Sequence, residues 1–129
     1  MTHPIEAVTA TALGLALDAA SMRQQATAAN IANANAAGYV PVSVDFESQL
    51  EDARRALASG SRMDMSSLSD VAPRLESALQ SDPLGLSPRV LLDVEVGRMA
   101  QNAVHYQALV KGLSRHYAIL STAVSDGKK

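Results

Sequence analysis

The sequence predicts an all-α chain in which two long terminal helices form an antiparallel, coiled-coil-like hairpin, joined by a partly disordered connector that holds a short helix. Three observations predict it. Apolar residues recur in steps of three and four over both ends of the 129-residue chain. An asparagine- and glycine-marked break, Ala29-Asn30-Ile31-Ala32-Asn33-Ala34-Asn35-Ala36-Ala37-Gly38-Tyr39, closes the first of these runs. The middle of the chain is polar and proline-punctuated, with no long period of its own.

The first element runs from Ile5 to about Ala34, with an apolar seam at Ile5, Val8, Ala12, Leu15, Ala19, Met22, Ala26 and Ala29. Pro4 suits its first turn, where the missing amide hydrogen costs nothing. Gly38 supplies the stop, because glycine takes a positive φ freely. Val42, Val44 and Phe46 then alternate with polar residues, which predicts one extended strand or arm. Phe46, Leu50, Ala53 and Leu57 predict a short amphipathic helix ending near Gly60. From Ser61 to Ser87 the composition predicts a mobile or partner-ordered linker, with a brief helical hint at Pro73 to Gln80.

The last element has the longest regular pattern: Leu92, Val96, Met99, Ala103, Tyr106, Val110, Leu113, Tyr117, Leu120 and Val124 hold the alternation without a miss. Ser87-Pro88 reads as a cap followed by proline at the first helical position, so this helix is expected from about Pro88 to Ser125. The chain thus divides into 1–40 (helix and Asn-rich turn), 41–60 (arm and short helix), 61–87 (connector) and 88–129 (helix), one structural domain overall. Paired seam to seam, the two helices leave Leu13, Leu17, Ile31, Leu91, Val94, Leu109 and Ile119 outside. These residues are expected to meet other chains or to stay in water.

Composition narrows the function classes. The chain is 47% hydrophobic, but only 3% aromatic and without tryptophan, so alanine supplies much of the apolar count and a large self-sufficient core is not expected. A net charge of -2 with no Lys/Arg run gives no footprint for nucleic acid. The absence of cysteine excludes disulfides, thiolate catalysis and thiolate metal sites. The first residues lack the basic start of a cleavable secretory signal, and no uninterrupted apolar stretch reaches about 18 residues, so membrane insertion is not expected.

No catalytic, metal or cofactor site is expected. His105 and His116 lie about 16 Å apart along a helix and cannot share a metal ion, and His3 is isolated. Glu51-Asp52 and Asp93/Glu95 point apart on a helix, which suits a solvated face or the helix dipole better than acid–base chemistry. Met63 and Met65 fall in the connector. Asn30 and Asn33 share a helix face, and Asn35 stands where asparagine competes for free backbone groups at a helix end.

Asn30, Ile31, Ala32, Asn33, Gly38 and Tyr39 resemble the Ala-x-Asn-Ile/Leu-Ala-Asn-x-Asp-Thr-Pro-Gly-Tyr segment of the bacterial flagellar rod, hook and hook-associated protein family. Asn35 stands for the usual Asp, and Ala36-Ala37 for the usual Thr-Pro. Val44-Asp45-Phe46 and the run from Asp93-Val94-Glu95 to Tyr106-Gln107-Ala108-Leu109-Val110 are similar to a rod subunit of that family. The resemblance implies a structural, non-enzymatic subunit whose terminal helices enter the wall of a helical tube. It implies as partners other rod subunits, further copies of itself, and export-gate and rod-base proteins. It also implies a periplasmic, basal-body location reached by type III export without a cleaved signal. A different class, a cytoplasmic helical-hairpin adaptor or secretion chaperone, fits the same helices with the asparagine segment as a plain helix end.

Overall fold

The computed structural model describes residues 3–58, 68–69, 71–77 and 90–128. Among the described residues five elements follow in order: α1 (His3–Ala32), β1 (Val42–Asp45), α2 (Glu47–Ala58), β2 (Arg74–Ser77) and α3 (Leu92–Asp126). The architecture is the expected one, mostly helical with the two long terminal helices packed against each other. They run antiparallel: Asn30 reaches Glu95, Asn102 reaches Ala20 and Gln24, and Leu13 lies over Gly112. At 30 and 35 residues, they extend about 45 and 52 Å.

Alanine decides how α1 packs. Ala19, Ala20 and Ala26 are buried, and side chains of that size let other elements approach the helix closely on two sides. On one side, Ala19 meets Phe46 and Val71 in a small core to which Leu15 and Ala16 add their partly buried surfaces. On the other side lies α3. Phe46, expected within the stripe of the short helix, instead sits just ahead of α2 and anchors that core. Asp45 begins α2 by accepting hydrogen bonds at Oδ1 from the Ser48 N–H (3.4 Å) and at Oδ2 from the Ser48 hydroxyl. Its carboxylate also suits the positive end of the helix dipole.

The strand expected at 42–46 finds a partner that the sequence did not suggest. Arg74–Ser77, expected to lie in a mobile or partner-ordered linker with a brief helical hint, forms β2 and pairs antiparallel with β1 in the register Val42↔Ser77, Ser43↔Glu76, Val44↔Leu75, Asp45↔Arg74. Opposite charges face each other at the last pair. Gln49 ties this ribbon to α2 by accepting from the Ala72 N–H at 3.0 Å. The remaining connector expectations, Met63 and Met65 among them, lie outside the described residues.

Three expectations for the helices change. α3 begins at Leu92, with Leu91 in extended conformation as its N-cap and no side-chain cap bond, so the Ser87-Pro88 start does not hold. The face of α3 turned to α1 takes only Met99, Leu113 and Leu120 from the apolar seam. Glu95 and Asn102 are buried, with Met99, Leu109, Leu113, His116 and Leu120 partly so, whereas Leu92, Val96, Ala103, Tyr106, Val110, Tyr117 and Val124 are exposed. The physical reason is the pair of polar anchors: hydrogen bonds from Asn30 to Glu95 and from Asn102 to α1 set the rotation of the helix. Leu13 and Leu109 accordingly move into the helix interface, while Leu91, Val94 and Ile119 stay exposed.

The third change concerns hydropathy. Over Ile5–Ala32, α1 is long and apolar enough to cross a bilayer by length and composition. That apolar character is diffuse, coming largely from alanine. The same span carries Asp18, Arg23, Gln24 and Asn30, and the last three have polar partners elsewhere in the fold. Mostly buried core helices and N-terminal signal sequences pass the same test, and of this apolar window only 11% is buried.

Candidate assembly site

Where α1 ends, one side chain ties four parts of the chain together. Asn30 is 2% exposed, and both ends of its amide are fully engaged. Nδ2 donates to the Val42 carbonyl (2.8 Å) and to Glu95 Oε2 (3.1 Å). Oδ1 accepts from the Val42 N–H and from the Tyr39 hydroxyl, each at 2.9 Å. An asparagine side chain offers two donors and two acceptor lone pairs, and here all four are used. Toward Val42 it presents the donor–acceptor pair that a neighbouring strand would present, so it closes that edge of β1.

Glu95 completes the hub from α3. It is 4% exposed, and its Oε1 accepts from Arg98 Nη1 at 2.7 Å while Oε2 faces Asn30. The solvated helix-dipole role expected for it gives way to a buried carboxylate held by an arginine whose own side chain is largely in water. Asp93 matches its expectation better, being exposed and accepting from the Val94 N–H. Glu51 and Asp52 flank Arg55 on α2 in a surface cluster.

The asparagine-rich turn splits into an inward and an outward part. Asn33 closes the helix, because its backbone N–H (3.1 Å) and side-chain Nδ2 (2.8 Å) both reach the Ala29 carbonyl. The end-capping role expected of Asn35 therefore belongs to Asn33. Ala36–Tyr39 form a β-turn closed by the Tyr39 N–H on the Ala36 carbonyl at 3.2 Å, with Gly38 at its third position at φ +74°. A type II turn demands that positive φ and favours proline at its second position. Thr-Pro-Gly-Tyr satisfies both demands; Ala36-Ala37-Gly38-Tyr39 keeps the glycine and omits the proline. Ile31 is half-buried, Ala32 is exposed, and Asn35 to Gly38 stand in solvent.

Of the other residues singled out in the sequence, Val44 and Phe46 are buried and Asp45 caps α2. His105 is exposed, whereas His116 is partly buried with its ring 5.9 Å from that of Tyr117. Its Nε2 is buried without a hydrogen bond among the described residues.

Beside the hub, between α1, β1 and α3, opens a cleft of about 450 Å³ whose walls include Arg23, Thr27, Glu47, Arg98 and Asn102. Arg23 pairs with Glu47 across α1 and α2, as Arg98 does with Glu95. Neither the cleft nor the joining of Tyr39 and Asn30 was visible in the sequence. The Asn30–Tyr39 spacing is the signal that could have suggested the latter. Compared with models of known protein families, the chain matches none, and no curated protein matches it.

Proposed function

We propose that this chain is a structural subunit of the bacterial flagellar basal-body rod, working by packing with its neighbours and not by catalysis. The observation that carries the assembly part of this reading is the inverted burial of α3. That helix buries Glu95 and Asn102 and leaves Val96, Tyr106, Val110, Tyr117, Ile119 and Val124 in water, Tyr117 at 55% exposure. Val96, Ala103, Val110, Tyr117 and Val124 recur every seven residues, so they form one continuous stripe of the kind that seats another helix.

The choice of the flagellar rod rests on the resemblance of Asn30 to Tyr39, Val44-Asp45-Phe46 and the Tyr106 to Val110 run to the proximal rod protein B. The sister rod protein C shares the first of these segments and is the nearest competing assignment. The partners of this reading are other rod subunits, further copies of the chain, and proteins of the export gate and rod base. The route is type III export to the periplasm without a cleaved signal.

A deletion strain complemented with this chain tests the proposal. Basal bodies and motility are expected to be lost on deletion and restored on complementation, with the chain co-purifying with basal bodies. A motile deletion strain overturns the reading. A chain found only in the cytoplasm, bound to other proteins, favours the adaptor or chaperone instead.

A further inference from the structure

We propose that the apolar stripe of α3 is covered by the outer face of α1 from a second copy of this chain, lying antiparallel to it. The inference rests on the assembly reading above and names the helix that the stripe seats.

Length makes the first selection. From Val96 to Val124 the stripe runs about 42 Å. Among the described residues only α1 and α3 are that long, since α2, with 12 residues, reaches about 18 Å. Charge makes the second selection. Lys111 stands exposed beside Val110, and the sequence from His105 to Ser125 holds no carboxylate. A second α3 centred on Val110 would therefore set Lys111 against its own copy, and it brings a carboxylate there only by sliding along the stripe and uncovering part of it.

The outer face of α1 has the complement. Turned away from both α3 and the Phe46 core, it presents Ala7, Gly14, Asp18, Ser21, Gln25 and Ala28, and Asp18 is the one charge among them. Gly14 has no atom within 4 Å of the Cβ it lacks, so this side of the helix is open. Neither Asp18 nor Lys111 forms an ion pair with another described residue.

Setting Asp18 of the second copy against Lys111 fixes the register, and side-chain size then fixes the direction. In the antiparallel arrangement the bulky Tyr117 falls between Thr11 and Gly14 of the second copy, while the small Ala103 falls opposite its Gln25. A parallel arrangement sets Tyr117 near Gln25 and Ala103 near Thr11, large on large and small on small. The two surfaces differ, so the contact is head-to-tail and able to propagate.

Sedimentation of full chains at low ionic strength tests the charge pair. Asp18→Lys and Lys111→Asp are each expected to weaken self-association about fivefold, and the chain carrying both to return to within about twofold of the original, without lowered melting temperatures. The absence of cysteine permits a second test, in which chains carrying Ala103→Cys are mixed and oxidised with chains carrying Gln25→Cys or Ala7→Cys. About a tenfold excess of the 103–25 disulfide over the 103–7 disulfide is expected. No rescue in the double variant, or equal crosslinking at 25 and 7, overturns the proposal. So does a Val110→Cys chain that couples to itself in preference, which would make a second α3 the occupant. A chain that restores basal bodies but shows neither rescue nor selective crosslink overturns this contact alone. One that shows both but never enters basal bodies keeps the contact and overturns the functional reading beneath it.

Discussion

The two ends of the α1–α3 pair are held by opposite means. Near the turn, from Ala19 to Asn30 and from Glu95 to Asn102, the helices are joined by directed hydrogen bonds around buried amides and a carboxylate. Away from it, from His105 to Asp126, no residue of α3 is fully buried, and apolar side chains face water. The contrast separates two tasks. Polar bonds with strict geometry fix how the chain folds on itself, and the exposed apolar surface is the part that the proposed assembly would use.

Substitution at the hub is expected to have the largest effect. Asn30→Ala strands the Val42 peptide groups, the Tyr39 hydroxyl and the Glu95 carboxylate together, and a loss of about 3–5 kcal/mol in denaturant unfolding is expected. A loss below about 1 kcal/mol would show that water replaces these bonds readily and that the hub does not organise the fold. Gly38→Val comes next. No atom lies within 4 Å of the Cβ it would gain, so its cost is backbone strain alone, about 1–2 kcal/mol. Thermal melting of Gly38→Ala beside Gly38→Val measures how much of that strain the branched side chain adds.

A smaller effect, of opposite sign, is expected of Ala37→Pro, which restores proline at the second position of the turn. It should stabilise by about 0.5–1 kcal/mol by restricting the unfolded chain. Destabilisation would mean that Ala36 or Ala37 does not hold the backbone a type II turn requires.

At the other end of the molecule, Val110→Ser is expected to change the stability of the monomer by less than about 0.5 kcal/mol while weakening self-association in sedimentation. A monomer that loses as much stability from Val110→Ser as from Asn30→Ala would erase the division between the two ends. Hydrogen exchange sharpens the same comparison: amides of α3 near Asn102 should be protected longer than those beyond Leu113. Uniform protection along α3 would contradict it.

What the sequence could disclose follows the same division. Both helices and the positive-φ turn at Gly38 were legible because period and glycine act locally, whereas the helix stop itself fell to Asn33. The rotation of α3 was not. Its apolar column, Val96 to Val124, dominates the pattern, but the face turned inward is chosen by Glu95 and Asn102, whose bonding partners lie on a helix distant in sequence. β2 was hidden for a related reason. Arg74-Leu75-Glu76-Ser77 has little strand pattern of its own and becomes extended by pairing with β1. Asn30 was singled out by the resemblance of the Asn30 to Tyr39 segment and not by its spacing, which an ordinary helix end also fits, and its inward orientation was not legible.

The partners of Asn30 also set an order of events. Tyr39 and Val42 lie 9 and 12 residues away, so three of the four bonds can close as soon as the turn forms. Glu95 lies 65 residues downstream. One amide proton of Asn30 therefore stays unclaimed until α3 docks, so the complete set of four bonds forms only when the two ends of the chain have come together.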